Sequence, residues 1–154
     1  MIIIQDTREK KPWSFAGFEE CGGQHVEKVD AGDYTIQGKE SLITIDRKQT
    51  PAELANNLGM YRERFAAEMQ RMQNFTHRYV ICEFPYEKLL MFPKGSGLPP
   101  HTQRKIRARG PWLATQVQRL SEAYEVKFLF CANRGEAQER AMELFKEALE
   151  SEKQ

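Results

Sequence analysis

Two aspartates and a lysine interrupt a pair of otherwise apolar strands in the segment GDYTIQGKESLITIDRK, residues 32–48. Residues two apart in a β-strand project from the same face, so we expect Asp46 and Lys48 to point one way and Arg47 the other. Asp33 stands just before the neighbouring strand of the hairpin and can come close to Asp46. Because two carboxylates are costly to bring together without a cation, the segment predicts a cation site at Asp33 and Asp46.

These three side chains suit the hydrolysis of a phosphodiester bond. Mg²⁺ prefers a few carboxylate oxygens together with water and substrate phosphate. A lysine beside the ion can position or deprotonate an attacking water, or stabilise negative charge in the transition state. The pattern is therefore typical of a metal-dependent phosphodiesterase, and the alternative is a solvated strand end that carries mixed charges.

Two further acids, Asp6 and Glu9, leave the end of the apolar run at the N-terminus, in IIIQDTREK. A turn that leaves a central strand can converge on the same sheet edge as the hairpin. We therefore consider Asp6 and Glu9 as candidates for the same site, with polar loop residues that face water as the alternative.

A sheet is needed to position these side chains, and apolar runs predict its strands. Strands are predicted at residues 1–4, 25–29, 33–36, 42–48, 78–84 and 126–131, the first of them in the centre of the sheet. Helices are predicted over residues 50–72, 110–124 and 133–150, with capping boxes at Thr50 and Glu53 and at Asn133 and Glu136. Strands alternate with helices in the second half, so the chain predicts an α/β domain with a mixed central sheet and helices on both faces.

The composition limits the class of protein. A length of 154 residues is enough for one domain with one core. The net charge of +1 does not by itself indicate a nucleic-acid binder, so any basic surface must be local. No apolar run approaches the roughly 20 residues that span a bilayer, and we expect a cytoplasmic protein that does not enter the membrane.

A local basic surface is predicted within residues 92–111, which read as a long loop with room for one short helical turn. Its segment QRKIRARG carries Arg104, Lys105, Arg107 and Arg109. Flexible basic loops bind phosphate by releasing counterions, so we expect DNA contact here, with a merely solubilising charge run as the alternative. Trp112 follows and can stack on a base or pack into the core.

Three motifs in order resemble the nuclease domain of the XPF-type structure-specific endonucleases. They are DTRE at residues 6–9, GDY at residues 32–34 and IDRK at residues 45–48, which a helix then follows. The signature of that family is GD, a spacer, ERK, three residues and Asp. The resemblance covers nearly the whole chain and implies a single nuclease domain over residues 1–154 with the restriction-endonuclease-like PD-(D/E)xK fold.

The resemblance also implies a function. The chain would be a Mg²⁺-dependent DNA endonuclease, with Mn²⁺ able to replace Mg²⁺, that acts on branched, flap or nicked DNA and forms a homodimer. Its acidic metal-site residues would be Asp6, Glu9, Asp33 and Asp46, its catalytic lysine Lys48, and its supporting or phosphate-contacting arginines Arg8 and Arg47. Arg62 would reach the DNA backbone, unless it is simply a solvated helix position. The alternative is a catalytically silent DNA-binding or scaffold subunit.

The sequence departs from the family signature at several positions. Asp46 stands where the signature has Glu, which shortens the side chain by one methylene. Ala52 occupies the position of the last signature Asp, and Glu53, which the capping box already explains, comes one residue later. Tyr61 replaces the glycine usually found before the helix arginine. The sequence shows no helix-hairpin-helix modules, so we expect a standalone nuclease domain.

Overall fold

A six-stranded mixed sheet organises the chain, of which the computed structural model describes all residues, Met1–Gln154. The strands are β1 (Ile2–Gln5), β2 (Gly23–Val26), β3 (Tyr34–Ile36), β4 (Ile43–Lys48), β5 (His77–Cys82) and β6 (Lys127–Phe130), in the order β2-β1-β3-β4-β5-β6. Strand β1 runs parallel to β2 and antiparallel to β3, β3 and β4 form the predicted hairpin, and β4, β5 and β6 are parallel. The predicted mixed α/β architecture is confirmed, but β1, which was expected in the centre of the sheet, lies second from its edge.

Six helices flank the sheet. They are α1 (Pro51–Leu58), α2 (Arg62–Arg71), α3 (Tyr86–Leu90), α4 (Pro100–Lys105), α5 (Gly110–Tyr124) and α6 (Arg134–Glu152), and a 3-10 turn (Met72–Asn74) follows α2. None of the helices combines the length and the apolar character needed to cross a bilayer.

Two apolar clusters lie on opposite faces of the sheet. Alternate residues of β5 divide between them, with Tyr79 and Ile81 in one cluster and Val80 and Cys82 in the other. The first cluster packs under α6, and the second packs under α1, α2 and α5. Because side chains of a strand alternate between faces, this arrangement confirms the prediction of helices on both faces.

The single helix predicted over residues 50–72 is wrong, because the structure has two helices with a break between them. Gly59 ends α1 with non-helical backbone angles (φ −102°, ψ −96°), and its N–H donates to the carbonyl of Ala55. Glycine is a poor helix former because of its backbone entropy. Met60 and Tyr61 are exposed as a result. Tyr61 therefore does not belong to the apolar helix face that packs on the sheet, whereas Phe65 in α2 does.

Several other boundaries differ from the prediction. The strand expected at residues 25–29 is Gly23–Val26, and α3 was not predicted. The cap of α1 is formed as expected by Thr50, whose Oγ1 accepts the N–H of Glu53 at 3.2 Å. The returning bond is displaced by one residue, because Glu53 Oε1 accepts the N–H of Gln49 at 2.7 Å.

The close approach of Gly32 to β4 sets the position of the hairpin relative to β1. Gly32 adopts φ +79°, and a Cβ there would collide with Oγ1 of Thr44. Its N–H donates to Glu68 of α2 at 2.6 Å. The next residue, Asp33, donates its N–H to Ile45 and accepts the N–H of Asp6 on its carbonyl, each at 2.8 Å. The backbone of Asp33 therefore joins the end of β1 to β4.

We predict that Gly32→Ala destabilises the protein by about 3 kcal/mol, because it adds a left-handed backbone penalty and a clash with β4. Gly38→Ala is the matched control: Gly38 also has positive φ, but nothing lies within 4 Å of its added Cβ. We expect that variant to lose only about 1 kcal/mol. Urea unfolding of the two variants measures the difference, and equal losses would contradict a special role for the Gly32 contact.

Candidate active site

Asp33 and Asp46 meet where β3 begins and β4 ends. Residue 34 pairs with residue 45 in the antiparallel ladder, which places the two aspartates next to each other. Asp33 is fixed by its Oδ2, which accepts the N–H of Arg47 at 2.8 Å. Asp46 is buried. The structure thus brings together the two acids whose proximity the hairpin pattern predicted.

Asp46 has a buried oxygen without a hydrogen-bond donor. Its Oδ2 lies 3.0 Å from the Nζ of Lys48, but the two groups are not aligned as a hydrogen bond, and Oδ2 has no other partner. The ammonium of Lys48 also lies over the ring of Phe65 from α2, 5.1 Å from its centroid. A buried carboxylate oxygen that is met only by an ammonium, beside a second carboxylate, fits the hard oxygen ligands that a divalent cation prefers.

The electrostatics of this pair are set by burial and by the crowding of charges. Burial raises the pKa of Asp33 well above its usual value, and the negative charges of Asp46 and Glu9 raise it further. Burial opposes the charge of Lys48, but the carboxylates of Asp46 and Glu53 outweigh it, so the pKa of Lys48 is raised. Lys48 is therefore a cation here, which favours charge stabilisation over proton abstraction.

Both carboxylate oxygens of Asp6 accept hydrogen bonds from the protein. Its Oδ1 accepts the N–H of Val29 at 2.8 Å, and its Oδ2 accepts both Nε of Arg8 at 2.8 Å and the N–H of Arg8 at 3.2 Å. Burial disfavours its charge, yet these hydrogen bonds outweigh burial and lower the pKa of Asp6. Both of its oxygens are thus occupied by protein donors, while the side chain of Arg8 is largely exposed.

Arg47 points to the opposite face of β4 from Asp46 and Lys48, as the alternation of the strand predicts. Its NH1 donates to Oε2 of Glu9 at 3.0 Å and its Nε to Oε2 of Glu83 at 2.7 Å, and the guanidinium lies over the ring of Trp13. Trp13 Nε1 donates to Glu83, and the hydroxyl of Tyr34 donates to Glu9. We name these five residues the Arg47 network.

The contacts of the Arg47 network bear on the two roles implied for Arg47, which are support of the site and contact with phosphate. The resemblance implied that Arg47 supports the site or touches phosphate, and only 4% of its side chain is exposed. A guanidinium held between two carboxylates has few donors left for phosphate, so the geometry favours the supporting role. Glu9 belongs to this network, and its Oε2 accepts both Arg47 and Tyr34.

Sequence reasoning did not identify Glu83 and Trp13 as members of this network. Glu83 directly follows β5, and its N–H donates to the carbonyl of Lys48 at 2.9 Å. Because β4 and β5 are parallel, their carboxyl ends meet at one sheet edge, and this rule could have placed Glu83 there. No sequence signal pointed to Trp13, which reaches the network from the irregular segment after β1.

Two of the four predicted acids, Asp33 and Asp46, are thus close together with Lys48. The structure contains no group of three or more His, Cys, Asp or Glu side chains arranged to hold one ion. Any ion at this site would therefore depend on Asp33 and Asp46, with the remaining positions supplied by water or phosphate.

The predicted DNA-contacting cations outside the site are exposed. They are Arg62 at the start of α2, together with Arg104, Lys105, Arg107 and Arg109 around the end of α4. None of these five side chains forms an ion pair within the protein. We name residues 92–110, which carry the last four of these cations, the basic segment. Its two ends are joined, because the N–H of Gly110 donates to the carbonyl of Phe92 at 3.0 Å.

We predict that Arg47→Ala destabilises the protein by about 3–5 kcal/mol, because it leaves Glu9 without its cation and Glu83 with only the more distant Arg134 at 3.9 Å. Arg62→Ala is the matched control, since it removes an exposed arginine and should change stability by less than about 0.5 kcal/mol. Chemical denaturation measures both values. An Arg47→Ala variant as stable as the wild type would show that the network does not hold the fold.

The fold is similar to that of XPF from Aeropyrum pernix. One solved structure of that protein has a TM-score of 0.64 at 18% sequence identity, over 94% of this chain and 64% of that chain. A second, in complex with DNA, has a TM-score of 0.62 at 19% identity, over 99% of this chain and 65% of that chain. This chain therefore spans just under two thirds of those XPF chains.

No protein-family model and no curated protein matches the sequence. The likeness to XPF thus comes from the comparison of structures, and at 18–19% sequence identity it shows the fold alone. In its fold the chain is XPF-like, as the motifs of its sequence predicted.

Proposed function

We propose that the chain is a metal-dependent endonuclease that hydrolyses phosphodiester bonds in DNA, at branched, flap or nicked duplexes. The observation that carries the proposal is the buried Oδ2 of Asp46, which lies beside Asp33 and has the ion pair with Lys48 Nζ at 3.0 Å but no aligned hydrogen-bond donor. Native proteins rarely leave a buried carboxylate oxygen without a donor. A divalent cation on this oxygen would explain both its burial and the neighbouring acid.

Asp33 and Asp46 would hold the ion, with Mg²⁺ as the natural choice and Mn²⁺ able to replace it. Such an ion polarises a phosphoryl oxygen and lowers the pKa of bound water. The contribution of the chain itself is positional. The N–H of Arg47 fixes Asp33, and Asp46 and Phe65 hold the ammonium of Lys48 where negative charge would develop on the phosphate.

Support for DNA as the substrate comes from two sides. One of the structures of similar fold is described as a complex with DNA. The chain itself carries five exposed cations that form no ion pair, Arg62 and the four of the basic segment. Unpaired, exposed lysines and arginines are suited to phosphate, since they pay no penalty for breaking an ion pair. A homodimer, which the resemblance implies, is a further part of the proposal that sedimentation can test.

A second candidate function is a catalytically silent DNA-binding or scaffold subunit. The observation in its favour is that Asp6 and Glu9 are held by protein donors, so that only two carboxylates are left for an ion. Cleavage of labelled branched DNA with and without Mg²⁺ separates the two functions. Mg²⁺-dependent products support the nuclease, whereas binding without products supports the silent subunit.

We predict that Asp33→Asn and Asp46→Asn each reduce cleavage by about a thousand-fold, because each removes a hard ligand of the ion. Folding should persist, and DNA binding should be kept or tightened because repulsion of phosphate falls. Asp30→Asn is the matched control, since Asp30 is exposed, and it should cut like the wild type. Near wild-type cleavage by Asp33→Asn or Asp46→Asn would place the site elsewhere.

Lys48→Ala separates ion binding from catalysis in the same assay. The variant should cut at least about a hundred-fold more slowly, while calorimetric titration with Mn²⁺ still shows binding, because an ammonium is not a metal ligand. Loss of Mn²⁺ binding in a folded Lys48→Ala variant would contradict the role assigned to Lys48.

We predict that replacing Arg104, Lys105, Arg107 and Arg109 together by alanine weakens DNA binding and flattens its salt dependence. Each phosphate contact contributes about 0.9 to the slope of log affinity against log salt, so the loss should be roughly two to four units. The matched control replaces four ion-paired cations by alanine: Lys39, Arg140, Lys146 and Lys153. Binding isotherms at several salt concentrations decide, and equal slopes for the two variants would mean that the basic segment does not contact DNA.

A further inference from the structure

An open apolar groove lies between α1 and the basic segment, with a volume of about 700 Å³. Its lining is mostly apolar and includes Ala55, Met60, Leu98, Ile106 and Trp112, with Arg107 on its rim. Pockets of about 300–1,000 Å³ enclose a small organic ligand, so the groove has room for at least one aromatic base.

The groove begins next to the candidate active site. Helix α1 starts three residues after Lys48, and the groove follows this helix from Ala52 to Gly59. At a rise of about 1.5 Å per residue, that distance is about 10 Å, or about three base steps of duplex DNA. A strand cut beside Asp46 would therefore have its neighbouring nucleotides within reach of the groove.

The groove exposes large apolar side chains to solvent. Met60 is 82% exposed and Trp112 is 40% exposed. Such exposed apolar surface beside polar residues is typical of a binding site. A tryptophan ring stacks on any base, because every base presents a π face, and the energy does not require a particular sequence.

Charge decides which occupant fits. Arg107 is the one charged residue that lines the groove, and the exposed cations Arg104, Lys105 and Arg109 belong to the same short segment of the chain and form no ion pair. A second copy of the chain, docked groove to groove about a twofold axis, would offer no carboxylate to these cations, because the lining of the groove contains no acid. An apolar peptide would leave them without partners. A single nucleic-acid strand supplies flat apolar bases for the groove and phosphates for the rim.

We propose that this groove binds an unpaired base from a single-stranded arm of branched DNA, stacked on Trp112 with its phosphates on the rim arginines. The inference rests on the proposed function and deepens it, because it selects DNA with a single-stranded arm over fully paired nicked duplex. The base is recognised through its π face and the strand through its phosphates, so no sequence preference is expected.

The test compares two DNAs in the absence of divalent cations: a duplex with a short single-stranded flap, and the same duplex with a nick and no flap. Trp112→Ala should lose roughly ten-fold in affinity for the flap DNA and keep its affinity for the nicked duplex. Trp112→Phe, which retains a stacking ring, should recover most of the loss. A 2-aminopurine at the first unpaired position should be quenched by the wild type and not by Trp112→Ala.

Met60→Glu gives a second variant that does not depend on replacing tryptophan, because Met60 is almost fully exposed and its replacement should leave folding intact. A negative charge at the groove should weaken flap binding selectively. Val26→Glu is its matched control, since it places the same charge on an exposed apolar position of the edge strand β2.

Three results would overturn the inference. Equal losses on the two DNAs would mean that the groove serves the duplex, and no loss on either would mean that it faces another ligand. A dimer that Met60→Glu dissociates would make it a contact between copies. Failure of this inference can be told apart from failure of the proposed function. If flap DNA is bound selectively but no Mg²⁺-dependent cleavage occurs, only the nuclease activity is excluded. If cleavage is normal but Trp112→Ala shows no selective loss of flap affinity, only the role of the groove is excluded.

Discussion

The ion pairs of Arg47 with Glu9 and Glu83 are the contacts on which the candidate site depends. They join three segments: the turn after β1, the end of β4 and the residue after β5. Because residues of a strand alternate between faces, holding Arg47 on one face obliges its neighbours Asp46 and Lys48 to point to the other. A shift of one residue in β4 would bury those two charges in the wrong cluster, and the network makes that shift costly.

This constraint divides the acids of the sheet edge into two groups. Asp6 and Glu9 are bound by donors of the protein itself, so they help to build the edge. Asp33 and Asp46 face each other with fewer donors than oxygens, and this deficit is the chemical signature of the site. The candidate pair of acids is therefore supported by a second set of charges on the reverse face of the same strand.

Much of this arrangement could be predicted from the sequence where the periodicity was strong. The alternation in β4 gave the correct faces for residues 46–48, and the pattern of α5 gave its bounds. The break at Gly59 was missed, although glycine is a poor helix former, because the apolar spacing of Leu54, Leu58, Tyr61 and Phe65 continues through it. The donors that occupy Asp6 and Glu9 were also hidden, since residue type does not show which carboxylate an arginine will meet in space.

The hydrogen bond that joins the two ends of the basic segment has a consequence for how proteins of this fold can differ in sequence. Phe92 and Gly110 are joined by a hydrogen bond, and the backbone of Leu90 leaves no room for a side chain at Gly110. Loop length adds little entropic cost once the ends are fixed. Insertions or substitutions at exposed positions between these two residues, which spare Leu98, Ile106 and Ala108 packed against the second cluster, would therefore leave the sheet undisturbed. Related proteins could therefore differ in the ligands that this segment contacts while the sheet edge that carries the candidate active site stays the same.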